Sequence, residues 1–202
     1  MGEFISARSP SNGRSTSEVT VTRSAKHCVN DLISIFNSTF LKTENTQLVK
    51  GEGEPIYLPS NEKSQFSQVV FAHGFFSSAL HEVAHWCVAG TERRELVDYG
   101  YWYEPDGRNL EQQKEFERVE IMPQALEWIF AVSCDKRFSV SVDNLSGAES
   151  DSRPFKMAVY GKVMSLCESG LSGRAASFHE HLADFYQTPR NLSSDLFLFS
   201  SL

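Results

Sequence analysis

The sequence of 202 residues is long enough to bury one substantial core, so we expect a single domain. Hydrophobic residues at 41% and aromatic residues at 12% exclude a wholly disordered chain. The formal net charge of −7 argues against direct nucleic-acid binding, and because no run of about 18 apolar residues occurs, no membrane span is expected.

The N-terminal third predicts a leader, a helix and two strands. Residues 1–24 are mostly polar, and we expect a disordered leader there. Apolar side chains recur at three- and four-residue steps over residues 25–41, which predicts an amphipathic helix. Two short apolar runs at 47–50 and 55–58 flank a glycine-containing turn and predict a β-hairpin.

The middle of the chain predicts a strand followed by a helix that carries a motif. The run QVVFA at 68–72 is β-branched and aromatic, as buried strands are. A helix is expected over residues 78–89, with Ser77 and Ser78 available as caps and Gly90 in a left-handed conformation at its end. This helix contains the sequence HEVAH.

The C-terminal half predicts further strands and helices. Residues 96–103 and 138–142 are expected to be strands. A charged helix is expected at 110–119, and Pro123 is expected to open a separate helix at 124–134, since proline suits a first turn. Two more helices are predicted at 155–168 and 174–187, and a C-terminal tail covers 191–202. The domain therefore spans residues 25–190 in this prediction.

The cysteines are scattered along the chain without a C-x-x-C pair; they are Cys28, Cys87, Cys134 and Cys167. Three of them lie among apolar neighbours, which is typical of buried thiols in a reducing compartment. We therefore expect a cytoplasmic protein.

The pattern H-E-x-x-H at 81–85 predicts a metal site. Residues four apart on a helix share one face, so His81 and His85 can present both imidazoles to one ion. Two histidines on a mostly apolar helix need partners for their ring nitrogens, and a metal ion provides one. A buried pair satisfied by hydrogen bonds alone is the less favoured interpretation.

A third ligand must come from elsewhere in the chain. Metzincin peptidases continue the motif with glycine and a third histidine, whereas this chain has Val88 and Thr91 there, which excludes that subclass. Glu120 is preferred because apolar residues flank it, and a carboxylate entering a core needs a metal or a partner. Glu117 is the second choice, and Glu115 is expected on a solvated helix face. The candidates considered are Glu115, Glu117, Glu120 and Glu127.

The metal and the chemistry stay open at this point. Two histidines and one carboxylate leave positions for substrate and dioxygen, the arrangement of non-haem Fe(II) oxygenases. With Zn(II), the same ligands would activate water and Glu82 would be the general base of a hydrolase.

Four runs of sequence carry a resemblance to a known family: EPIYLP at 54–59, FAHGFFSSALHEVAHWCVAG at 71–90, RRELVDYGYWYEPDGR at 93–108 and VEIMPQALEW at 119–128. Over residues 25–189 the chain resembles the elongation factor P hydroxylase family. The resemblance implies an oxidoreductase that hydroxylates the β-lysylated lysine of elongation factor P, with Fe(II) as cofactor and O2 as co-substrate. It also implies an α/β (α+β) domain with a small mixed sheet flanked by helices, similar to the YbeY metal-dependent ribonuclease fold, and a metal site on a central helix.

Carried over residue by residue, the resemblance implies that His81, His85 and Glu120 form a 2-His-1-carboxylate site. Glu82, the remaining catalytic-site residue, is then expected to orient a ligand or to pair with the cationic substrate. The alternative function is a zinc-dependent hydrolase, either a metallopeptidase or a YbeY-like ribonuclease.

The segment DYGYWYEPDGR offers aromatic faces and carboxylates to a substrate arm that bears ammonium groups. Its expected substrate-binding residues are Asp98, Tyr101, Trp102 and Asp106. The alternative interpretation, that the aromatic side chains fill the core, is at least equally supported for Tyr99 and Tyr101. Arg93 and Arg94 are expected at a solvated helix end, and His73 is expected to stabilise its loop.

Overall fold

Three short strands form the sheet: β1 (Thr46–Lys50), β2 (Ile56–Leu58) and β3 (Ser67–Phe71). The computed structural model describes residues 27–99, 107–142 and 151–202. The central strand is β3, which pairs with β1 in parallel and with β2 in antiparallel orientation. Ser67, Val69 and Phe71 are buried on one face of β3, which confirms the buried strand predicted at 68–72.

The predicted hairpin is wrong, although both of its strands exist. β1 and β2 lie at opposite edges of the sheet with β3 between them. The residue after β1 continues along β3 instead of turning back, since the N–H of Gly51 donates to the carbonyl of Phe71 at 2.9 Å. The central strand β3 needs a hydrogen-bonding partner on each edge, and the chain provides them by placing β2 on the edge opposite β1.

Five α-helices accompany the sheet in the described part of the chain: α1 (Val29–Phe40), α2 (Phe76–Val88), α3 (Leu110–Ser133), α4 (Arg153–Ser169) and α5 (Gly173–Tyr186). The helices predicted at 25–41, 78–89, 155–168 and 174–187 are confirmed apart from shifts at their ends. Within the described ranges, no helix has the length and apolar content that a bilayer span requires. Sheet and helices form the mixed α/β domain that was expected.

The ends of α2 differ from the prediction. The helix begins after Phe75, and the Ser78 hydroxyl accepts a hydrogen bond from the N–H of Ala72 at 3.1 Å instead of capping α2. Gly90 does not adopt a positive φ. The guanidinium of Arg174 replaces a left-handed cap, because it donates at 3.0, 3.2 and 2.6 Å to the carbonyls of Trp86, Cys87 and Ala89.

α3 is one continuous helix of 24 residues where two helices were predicted. It starts with a capping box, in which the Asn109 side chain accepts from the N–H of Gln112 and the Gln112 side chain accepts from the N–H of Asn109. Pro123 lies inside the helix, where its missing N–H removes one hydrogen bond. Burial of Pro123 and the apolar residues after it offsets that loss. Glu120 and Glu127 therefore lie two turns apart on one helix.

Two predicted strands are not formed as expected. Residues 96–99 contribute only an isolated bridge between Tyr57 and Asp98, and residues 100–106 lie outside the described residues. In residues 138–142, Phe138, Val140 and Val142 pack against the core as the alternation predicts, but no strand of the described ranges pairs with them. Gln124 of α3 satisfies that backbone instead, bonding the N–H and the carbonyl of Ser141 at 3.1 and 2.7 Å.

α2 lies at the centre of the core and packs against β3, α1, α3 and α5. Leu80, Val83 and Ala84 are at most 1% exposed. Trp86 packs edge-on against Phe36 and Phe40, with ring centroids 5.0 and 4.8 Å apart. Because aromatic pairs at these separations add to the effect of burial, the motif is held on a rigid element.

Residues 191–202 contain two 3-10 turns, Ser194–Leu196 and Phe199–Ser201. Phe197 between them is 1% exposed and meets Trp128 of α3 edge-on, with centroids 5.2 Å apart. The cysteines are free thiols, of which Cys134 is buried and the others are half-buried. Residues 1–26, which contain the predicted leader, lie outside the described residues.

Candidate metal centre

Two histidines of α2 point their ring nitrogens at the same place. One helical turn separates His81 from His85, and their Nε2 atoms lie 3.0 Å apart. The side chains are 24% and 14% exposed, so both rings are largely buried. The pairing expected from the four-residue spacing is therefore present.

Glu120 of α3 completes the group. Its side chain is 4% exposed, and its two oxygens lie 3.0 Å from His85 Nε2 and 3.8 Å from His81 Nε2. The three donor groups have atoms that all lie within 4.8 Å of one another. Gln124, one turn further along α3, donates to Glu120 Oε2 at 3.3 Å and thereby helps to fix the carboxylate.

Glu127 contacts the other side of the His81 ring. Its Oε2 lies 2.8 Å from His81 Nδ1, so the carboxylate accepts a hydrogen bond from that nitrogen and leaves Nε2 facing Glu120. The sequence had offered Glu127 only as one of several possible ligands. Glu127 can accept this hydrogen bond because α3 continues through Pro123. The seven-residue spacing between Glu120 and Glu127 places both on one face of a continuous helix, and the prediction of two separate helices concealed that relation.

Two other glutamates of α3 have different partners. Glu117, the second choice for a ligand, accepts a hydrogen bond from Gln113 at 3.1 Å. Glu115 pairs with Arg118 at the surface, as expected for a solvated face. His73 is exposed before α2 and has a φ of 51°, a loop conformation that takes it out of the helix.

Burial and charge shift the pKa values of this group. Burial lowers the pKa of His81, but the charge and hydrogen bond of Glu127, together with the charges of Glu82 and Glu120, raise it to about 10. Burial raises the pKa of Glu82 against the opposing charges of both histidines. Burial also acts to raise the pKa of Glu120, but the hydrogen bond and charge of His85 hold it below its usual range. Three carboxylates around two imidazoles therefore favour a bound positive charge.

The residues fit a divalent metal ion. Imidazole nitrogens and a carboxylate oxygen are ligands that Fe(II) and Zn(II) both accept. Among the described residues, His81, His85 and Glu120 are the one group of three that could hold such an ion. A cation there would also offset the cost of burying the Glu120 carboxylate.

A cleft opens on the side of α2 that faces the sheet, and we call it the α2 cleft. Asp98 forms a two-pronged ion pair with Arg93 there, and Arg94 donates to Glu44 at 2.9 Å. The expectation that Arg93 and Arg94 lie at a solvated helix end is therefore wrong, because both guanidinium groups are paired and mostly buried. The cleft is lined by Ile56, Tyr57, Val69, Glu82, His85, Trp86, Ala89, Arg93, Arg94 and Asp98.

The predicted substrate-binding residues divide into two groups. Asp98 lines the α2 cleft, and its backbone bridges to Tyr57. Tyr101, Trp102 and Asp106 lie outside the described residues. Tyr99 is 64% exposed, so the alternative interpretation that it fills the core is wrong.

The fold and this group of residues define a class of protein: a mixed α/β domain that presents two histidines and a buried glutamate to one metal ion. The family model described as elongation factor P hydroxylase matches residues 35–197. The chain is also 52% identical over 168 residues to a Haemophilus influenzae protein named elongation factor P lysine hydroxylase, covering 83% of this chain and 94% of that protein. The chain belongs to the elongation factor P hydroxylase family, which confirms the resemblance carried by the four sequence runs.

Proposed function

We propose that this protein hydroxylates the β-lysylated lysine of elongation factor P, with Fe(II) as its metal and O2 as co-substrate. The family supports the reaction, since the Haemophilus influenzae relative is named for lysine hydroxylation of elongation factor P. The observation that carries the proposal is the convergence of donor atoms from His81, His85 and Glu120 within 4.8 Å. A translation factor as substrate also supports the predicted cytoplasmic location.

His81, His85 and Glu120 would hold the iron, and the iron would supply the activation of dioxygen. The protein contributes position and charge. Glu127 accepts the hydrogen bond from His81 Nδ1, which orients the ring so that Nε2 would be the ligand atom. Gln124 holds Glu120, and Ser141 in turn holds Gln124 at 2.7 Å.

The α2 cleft is our candidate for the substrate channel. His85 lines it, so a side chain lying in the cleft reaches a proposed metal ligand. Asp98 contributes to its wall. We propose that Tyr101, Trp102 and Asp106 also bind the substrate arm. Placing the reacting carbon beside the metal is the main contribution that a protein makes to such chemistry.

A zinc-dependent hydrolase is the second candidate. It is supported by Glu82, which lies in the cleft beside His85, where a metal-bound water would need a general base. The likeness to the YbeY ribonuclease fold and the domain limits 25–190 likewise stay predictions.

The test is the intact mass of β-lysylated elongation factor P after incubation with Fe(II)-loaded protein in air. We expect a gain of one oxygen atom on the β-lysylated form and none on the unmodified factor. His81→Ala should abolish the gain and lower the bound iron. Glu115→Gln, which changes an exposed carboxylate of α3, is the matched control and should leave both unchanged.

The same incubation separates the two candidates. A hydroxylase consumes O2 together with the mass gain and is inactive with Zn(II). If the factor keeps its mass, O2 is not consumed, and the Zn(II)-loaded protein cleaves peptides or RNA in a manner that Glu82→Gln abolishes, the hydrolase replaces the hydroxylase.

A further inference from the structure

We infer that the α2 cleft binds a primary ammonium group and that the Glu82 carboxylate is its anchor. The inference rests on the proposed function only in taking this ammonium to belong to the modified lysine arm. It assigns Glu82 to substrate binding, as distinct from metal binding and from proton transfer.

Glu82 lies on the side of α2 that faces the cleft. It is three residues, about one helical turn, from His85, and both side chains line the α2 cleft, whereas His81 is not among the lining residues. The side chain of Glu82 is half-buried there. Within the described part of the chain, its carboxylate takes part in no hydrogen bond or ion pair. A half-buried carboxylate that no protein group pairs is suited to a cation that arrives with the ligand.

The other charged side chains of the cleft already have partners. Asp98 is paired with Arg93, and Arg94 with Glu44. Arg174 also lies 3.7 Å from the Glu44 oxygen that pairs with Arg94. Among the described lining residues, Glu82 is the carboxylate without an arginine partner.

The walls of the cleft indicate an alkylammonium ion. Tyr57 and Trp86 provide aromatic surface, and Ile56 and Val69 provide aliphatic surface. Such walls suit a chain of methylene groups that ends in a charged head, since the stem packs on apolar surface while the head meets the carboxylate.

Direct binding is tested with n-pentylammonium and the neutral 1-pentanol on protein loaded with Zn(II) as a diamagnetic substitute for iron. The reporter is the indole N–H signal of Trp86, assigned with Trp86→Phe. We expect n-pentylammonium to shift this signal with a Kd about 10- to 100-fold lower than that of 1-pentanol, the range for a hydrogen bond to a charged group. Glu82→Gln should remove this preference and Glu82→Asp should retain part of it.

The outcomes separate the cleft from the proposed function. Equal binding of both probes, or an unchanged preference in Glu82→Gln, would overturn the inference. With β-lysylated elongation factor P, Glu82→Gln should raise KM about 10-fold or more with a smaller change in kcat and unchanged metal content. A loss confined to kcat would assign Glu82 to proton transfer instead. Glu82-dependent binding of n-pentylammonium by a protein that does not act on the factor would sink the hydroxylase proposal and leave the ammonium site standing.

Discussion

The metal-free protein should lose stability as the pH rises from 6.5 to 8.5, because of His81. The pKa of this histidine is raised from 6.5 to about 10 in the folded protein, so the folded state binds the proton more tightly than the unfolded state. Below pH 6.5 both states are protonated and the stabilisation is complete. As the pH rises further, the unfolded chain loses its proton first, and the stabilisation is lost by about pH 10.

The magnitude follows from the width of this window. Each pH unit in which only the unfolded state has lost the proton lowers the free energy of unfolding by about 1.4 kcal/mol. Between pH 6.5 and 8.5 the expected loss is about 2 kcal/mol, because the unfolded histidine is only half titrated at the start. The thiol of Cys87 acts in the same direction, but its pKa is raised from 9.0 to about 12, so its effect begins above this window.

Urea unfolding in the presence of a chelator and a reductant measures this loss. The wild-type protein and His81→Gln are compared at pH 6.5 and 8.5, and the variant should lose most of the pH dependence. Glu82→Gln removes a second group whose pKa burial raises, and it should keep most of the part due to His81, because Glu127 raises the pKa of His81 more than Glu82 does. A flat profile for the wild type, or the same slope in wild type and His81→Gln, would refute the assignment of the proton to His81.

Three further substitutions test the contacts that hold the site and the fold. Glu127→Ala should lower metal affinity about 10- to 100-fold, because His81 loses the acceptor that orients its ring. Competition with a chromophoric chelator measures this affinity, at a pH high enough for the ligand groups to be deprotonated. Arg174→Ala should lower the free energy of unfolding by about 2 kcal/mol, since carbonyls at the end of α2 lose a charged donor, and Arg174→Lys should recover only part of it. Phe197→Ala should cost about 3 kcal/mol in urea unfolding, and a cost near zero would mean that the C-terminal segment does not pack on Trp128 in solution.

The sequence was most informative where one face of an element is buried. The periodic apolar residues of α1 and the alternating residues of β3 predict their elements because local spacing and burial agree. The motif helix α2 was identified for the same reason, with its ends displaced by a few residues. Its C-terminal end could not be predicted, because the group that caps it, Arg174, is distant in sequence.

The failures have a common physical cause, which is that long-range partners override local signals. Pro123 normally marks a helix start, but the buried residues on both sides keep α3 continuous. Residues 138–142 have the alternation of a strand, yet Gln124 satisfies the backbone of Ser141, so no neighbouring strand is needed. Because the sequence predicted a helix start at Pro123, it did not indicate that Glu120 and Glu127 lie on the same face of one helix.

Glu127 and the α2 cleft lie on different sides of α2, and His85 belongs both to the candidate metal-binding group and to the lining of the cleft. On the side of α3, His81 and His85 meet Glu120 and Glu127, and the continuous helix fixes the spacing of those carboxylates. On the side of the sheet, Glu82 faces the α2 cleft, whose walls come from other elements. Glu127 contacts His81 and does not line the cleft, so a change at Glu127 should leave the cleft intact. Glu127→Ala, once saturated with metal, should bind n-pentylammonium with the wild-type Kd, and a Kd weakened in parallel with metal affinity would show that the two sites are coupled through α2.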